Sequence, residues 1–148
     1  MELFKIENFE KEYIDKKFPF HRLLNEGELK KVQDKLRLKL SLAADSSLLT
    51  IANELSSRSN IVPNIDVRDS KFNFSQLLSS LNIEPSGSIC VNWYRYDDID
   101  SMELTDFCLY FDDIWYEGTD DIEVFDNSFS WFISVRHDGV SSVLRLSE

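Results

Sequence analysis

A chain of 148 residues that is 43% hydrophobic and 13% aromatic can bury one real core and is too rich in rings for a disordered acidic tail. Its net charge of −11 disfavours direct contact with a nucleic-acid backbone. The longest apolar run, the five residues from Phe107 to Phe111, falls far short of the roughly 20 that a membrane span needs.

The first eighteen residues, MELFKIENFEKEYIDKKF, mix charges of both signs and lack a signal-peptide core. They predict a short helix from Leu3 to Ile14. Leu29, Val32, Leu36 and Leu40 recur at helical spacing, although KLRLKLSL also alternates like a strand; length and the lack of β-branched residues favour helix. A second helix follows, capped by Asp45 or Ser46, with Leu48, Ile51, Ala52 and Leu55 on one face. Residues 60–71 read as loop with a short strand at Ile65 to Val67, and Phe74, Leu77, Leu78 and Leu81 mark another short helix. After a turn at Pro85-Ser86-Gly87, SICVNWYRY reads as a strand. Leu104, Phe107, Cys108 and Phe111 return to helical spacing, which predicts a helix from Ser101 to Phe111 with Asp100 and Ser101 as caps and Glu103 in its first turn.

The last thirty residues predict a meander: IEVF, a turn at Asp126-Asn127-Ser128, FSWFISVRH, a type I′ turn at Asp138-Gly139, and VSSVLRL. Helices first and strands later define an α+β domain, with N-terminal helices packed on one face of a C-terminal antiparallel sheet. One domain spans residues 1–148.

The charge is unevenly placed. Asp97 to Asp126 holds 12 acidic residues and no Lys or Arg, which leaves 15 acidic against 16 basic residues elsewhere. Carboxylates within a Debye length of about 8 Å repel one another. Such a segment serves either as solvated loops or as a surface for a basic protein partner, with Trp115 and Tyr116 as aromatic anchors among the charges.

Catalytic chemistry is not legible. His21 and His137 sit in a Phe-Pro-Phe-His-Arg stretch and before a turn, and Ser128, Ser130 and Ser134 lie outside any nucleophile elbow. Four glycines leave no room for a phosphate loop. The pairs Asp97-Asp98, Asp112-Asp113 and Asp120-Asp121 fit no calcium-loop spacing. Cys90 and Cys108 stand alone in apolar settings and read as buried reduced thiols. The expectation is a non-enzymatic protein of a reducing cytoplasm, with no cofactor, metal, nucleic-acid or membrane partner.

From Phe111 onward, FDDIWYEGTDDIEVFDNSFSWFISVRHDG resembles the C-terminal half of small bacterial immunity proteins of contact-dependent growth inhibition and polymorphic toxin systems. The resemblance centres on Asp113-Ile114-Trp115-Tyr116, Asp120-Asp121 and Trp131. It implies a protein that binds and neutralises a cognate toxin domain, a basic protein such as a nuclease. A non-enzymatic adaptor for another basic partner is the alternative. The expected contact residues are Asp97, Asp98, Asp100, Asp112, Asp113, Trp115, Tyr116, Glu117, Asp120 and Asp121.

Overall fold

The computed structural model describes residues 1–85 and 87–147, and for Tyr94 the backbone alone. Ser86, the centre of the expected Pro85-Ser86-Gly87 turn, lies outside the described residues. The chain is α+β, as its pattern predicts, with seven antiparallel strands in one sheet.

Helix α1 (Leu3–Glu12) leads into a short edge strand β1 (His21–Leu23). Helix α2 (Glu26–Lys39) settles the KLRLKL ambiguity, because Asn25 and Glu28 form a reciprocal capping box that starts it cleanly. Leu36 and Leu40 are buried while Leu38 is left exposed, as a helical rather than an alternating pattern requires. Helix α3 (Leu48–Arg58) is capped by Ser47, one residue beyond the expected cap. It feeds β2 (Asn60–Ile61), a two-residue edge strand that replaces the one expected at Ile65 to Val67. Helix α4 (Phe74–Ser80) follows, capped by Asn73.

Strands β3 (Ser88–Tyr94) and β4 (Asp98–Glu103) form a hairpin. Here the structure departs from the sequence pattern. Asp100 and Ser101 are ladder residues, not helix caps, and α5 (Leu104–Leu109) starts only after the strand ends. Helix α6 (Phe111–Ile114) completes the turn back to the sheet. The hairpin turn carries positive φ at both Arg95 (47°) and Tyr96 (63°), the conformation usually supplied by Asn-Gly. Two such non-glycine residues cost about 1–3 kcal/mol each. Full burial of a ring the size of Tyr96, which is 0% exposed, returns about 2–3 kcal/mol, and the Tyr96 N–H donates to Asn92 Oδ1 at 3.0 Å.

Strands β5 (Ile122–Asp126), β6 (Trp131–Val135) and β7 (Ser141–Arg145) form the expected meander. The Asp138-Gly139 turn is not type I′. Only Gly139 has positive φ, and the Gly139 N–H closes on the Arg136 carbonyl at 2.9 Å, which makes a three-residue loop.

The strand order is β1-β4-β3-β5-β6-β7-β2, so the two short N-terminal strands cover the two edges of the sheet. Helices cover both faces, not one. Ile89, Val91, Ile122, Val124, Ile133 and Val135 pack under α1, α4, α5 and α6. Cys90, Ile99, Phe125, Phe132 and Leu144 pack under α2 and α3. Alternate residues of β3, β5 and β6 feed both cores, which is why these strands are apolar almost throughout.

Candidate functional site at the loop end of the sheet

Strand direction gathers three connections at one end of the sheet: the β3–β4 turn, the α6–β5 loop and the β6–β7 loop. Asn92 pairs with Glu123, and Ile122 pairs with Val135. Two residues beyond Asn92, Tyr94 pairs with Asp98. The acidic segment is therefore folded back on itself rather than laid out as a line.

Of the ten expected contact residues, three are not available to a partner. Asp100 is 1% exposed and accepts from the Met1 ammonium and from Trp93 Nε1 (2.8 Å). Asp120 is 5% exposed. Its Oδ2 accepts from Lys5 Nζ at 2.5 Å and from the Tyr116 N–H at 2.8 Å. Trp115 is buried as well, its indole N–H donating to the Asp120 carbonyl at 2.9 Å. These corrections share one cause. Each group is engaged from within, although Asp100 Oδ1 has no hydrogen-bond partner, and Asp100 and Asp120 find their cations at the N-terminal end of the chain.

Lys5 is itself fully buried. Its Nζ also donates to the Ile114 carbonyl at 2.9 Å and lies 4.2 Å from the Trp93 ring centroid and 5.1 Å from that of Tyr116. A buried ion pair with this many additional partners fixes where α1 sits on the sheet.

Asp97, Asp98, Asp112, Glu117 and Asp121 are exposed, and Asp113 and Tyr116 are half-buried. Asp121 accepts the His137 N–H at 2.7 Å and lies 2.9 Å from His137 Nδ1. Asp112, Tyr116 and Glu117 border a concave surface that Arg68 also lines, with Arg68 Nε 4.0 Å from Glu117. Burial, with Glu12 second, holds the Asp113 carboxyl above its ordinary range, while a hydrogen bond from the Tyr13 hydroxyl (3.3 Å) works the other way. Tyr116 is no free anchor: its ring meets Phe4 edge-on at 5.5 Å, and its hydroxyl accepts from Asn8 Nδ2 at 3.2 Å.

A second feature opens at the same end, on the face covered by α2 and α3. A cleft of about 600 Å³ lies between α3 and the sheet, with Glu123 at its floor. The Tyr96 hydroxyl donates to Glu123 Oε2 at 3.0 Å, and the side chains of Asn92 and Ser134 also bond to it. Burial nevertheless pushes the Glu123 carboxyl up to about 7. Sequence reasoning passed over this residue. The available signal was an acid placed between the apolar residues Ile122 and Val124 in a strand.

Among the described residues, no group of three or more His, Cys, Asp or Glu is placed to hold a metal ion. Burial pushes the thiols of Cys90 and Cys108 up to about 11. No helix among the described residues is long and apolar enough to cross a membrane.

The fold and this end of the sheet define an α+β domain with helices on both faces of an antiparallel sheet and an acidic loop end. Compared with protein-family models, with curated proteins and with solved structures, the chain matches none.

Proposed function

We propose that this chain is a cytoplasmic binding protein of the immunity type, which docks on a basic toxin domain, a nuclease, and blocks it stoichiometrically without catalysis. The observation that carries this reading is the convergence of exposed carboxylates from separate connections at one end of the sheet: Asp97 and Asp98 from the hairpin, Glu117 and Asp121 from the α6–β5 loop. Asp112 and Asp113 of α6, and Tyr116 just after it, extend the surface. Of the arginines nearby, Arg68 pairs with Asp66 (3.0 Å) and reaches Glu117 at 4.0 Å, and Arg136 pairs with Asp138 (3.7 Å), while Arg95 lies in the hairpin itself; the acids outnumber them. A surface of this kind accelerates encounter with a basic partner, toward about 10⁸–10⁹ M⁻¹s⁻¹ at low salt.

Parallel pull-downs test it, with the wild-type chain and an Asp97→Lys, Asp98→Lys, Glu117→Lys, Asp121→Lys variant as baits. The wild type retains a basic protein that the variant loses, and coexpression of the wild type restores growth to cells expressing that protein. Identical captures from both baits would remove the acidic surface. Capture without growth rescue would instead favour an adaptor.

A further inference from the structure

On the face of the sheet under α2 and α3, one polar row crosses the central strands, apart from the polar residues Ser88, Ser101, Glu103 and Arg22 toward the β1–β4 edge. Asn92, Glu123, Ser134 and Ser142 are successive cross-strand partners on β3, β5, β6 and β7. Asn92 is buried and Glu123, Ser134 and Ser142 are half-buried, so the row forms a polar floor open to the cleft, where a ligand can complete its hydrogen bonding. Helix α3 seals the neighbouring rows with Ile51 and Leu55, both fully buried, yet leaves the cleft open over this one.

Glu123 is the centre of the row. Its hydrogen-bond donors are neutral, and no cation figures among the groups that act on its titration. The charged groups around it are Arg95, Asp121 and Arg136 at the mouth, with Tyr96 inside; α3 contributes only Leu49, Ala52 and Ser56. A desolvated carboxylate without a counter-charge is completed by a cation. The two arginines at the mouth would repel a simple cation but suit a ligand that also carries a carboxylate. Leu49, Ala52 and Ile61 offer an apolar wall for the atoms between.

We propose that this cleft binds a small zwitterion of the amino-acid type, its ammonium against Glu123 and its carboxylate at the mouth toward Arg136 and Arg95. The bulge after Asn92 and the left-handed Arg95-Tyr96 pair serve this arrangement, burying Tyr96 beside Glu123 and leaving Arg95 at the mouth. The cleft and the docking surface meet at Asp121, but Glu123 and Arg136 lie outside the docking residues, so binding measured on their variants tests the cleft separately.

Isothermal titration calorimetry with L-leucine, L-lysine, γ-aminobutyrate and 6-aminohexanoate tests the proposal against hexylamine and hexanoate, which carry one charge each. At least one zwitterion should bind, with hexylamine and hexanoate each weaker by about tenfold or more. Binding near pH 7 should release protons, seen as a heat that varies with the ionisation enthalpy of the buffer, because an ammonium draws the Glu123 carboxyl back down. Glu123→Gln should weaken binding by about tenfold or more and abolish that release. Arg136→Gln, which alters an exposed side chain, should weaken the zwitterion and leave hexylamine no weaker, or tighter. No zwitterion bound at about 10 mM, equal binding by Glu123→Gln, or hexylamine as tight as the zwitterions would each overturn it.

Discussion

Tyr96 and Glu123 hold each other in place: the tyrosine hydroxyl donates to Glu123 Oε2 at 3.0 Å, from a hairpin turn to the central strand. Burial keeps the phenol well above its ordinary pKa, so it remains a donor, and raises the carboxyl from 4.5 to about 7. The folded chain therefore holds that proton more tightly than the unfolded chain between those two values. The stability this confers is complete below pH 4.5, falls as pH rises, and is gone above about 7. Urea unfolding at pH 5 and pH 8 should show Glu123→Gln gaining on the wild type as pH rises, by up to about 3 kcal/mol. Parallel stabilities at the two pH values would remove this account of Glu123.

Tyr96→Phe keeps the buried ring and deletes only the donor. It should cost about 1–3 kcal/mol at pH 8, where the carboxylate is charged, and less at pH 5. Denaturant midpoints at both pH values provide the check.

Lys5 and Asp120 form the buried pair that anchors α1. Lys5→Met leaves the Asp120 carboxylate enclosed without its cation and should destabilise by about 3–5 kcal/mol. Adding Asp120→Asn removes the stranded charge, so the double variant should be more stable than Lys5→Met alone. Chemical denaturation of all three chains measures the coupling.

Exposed and buried acids of the same segment should respond oppositely to mutation. Replacing Asp97, Asp98 or Asp121 with Asn should change stability by no more than about 0.5 kcal/mol. Asp120→Asn alone should cost several times that, since it weakens the Lys5 contact inside the fold. Thermal melting of the single variants separates the two groups.

Gly139 has φ +85° and sits against the 66–68 segment, where an added Cβ would lie 2.9 Å from Arg68 Cγ. Gly139→Ala combines backbone strain with a steric clash and should cost more than about 1 kcal/mol. The loss should be visible as a lower urea midpoint.

The local elements were written in local signals. Capping residues and 3.6-residue spacing delimit α2 and α4, and β-branched and aromatic runs mark β3, β5, β6 and β7. The expected helix from Ser101 to Phe111 failed because β4 is stabilised from outside itself, by pairing with β3 and β1. Its hairpin turn could not be recognised from Arg95-Tyr96, since the left-handed backbone there is held by burial of the tyrosine and not by glycine.

The sequence by itself determined the class of fold, the meander, and the concentration of negative charge in thirty positions, because periodicity, turn chemistry and charge counts are local or additive. Only the tertiary structure decided which acids face solvent, that both sides of the sheet are covered, and that Glu123 ends at the floor of a cleft. Those outcomes depend on partners far away in the chain: Asp100 meets the ammonium of Met1, and Asp120 meets Lys5, 115 positions earlier. A carboxylate's burial and charge are properties of the neighbours that folding brings to it, and no window of adjacent residues contains them.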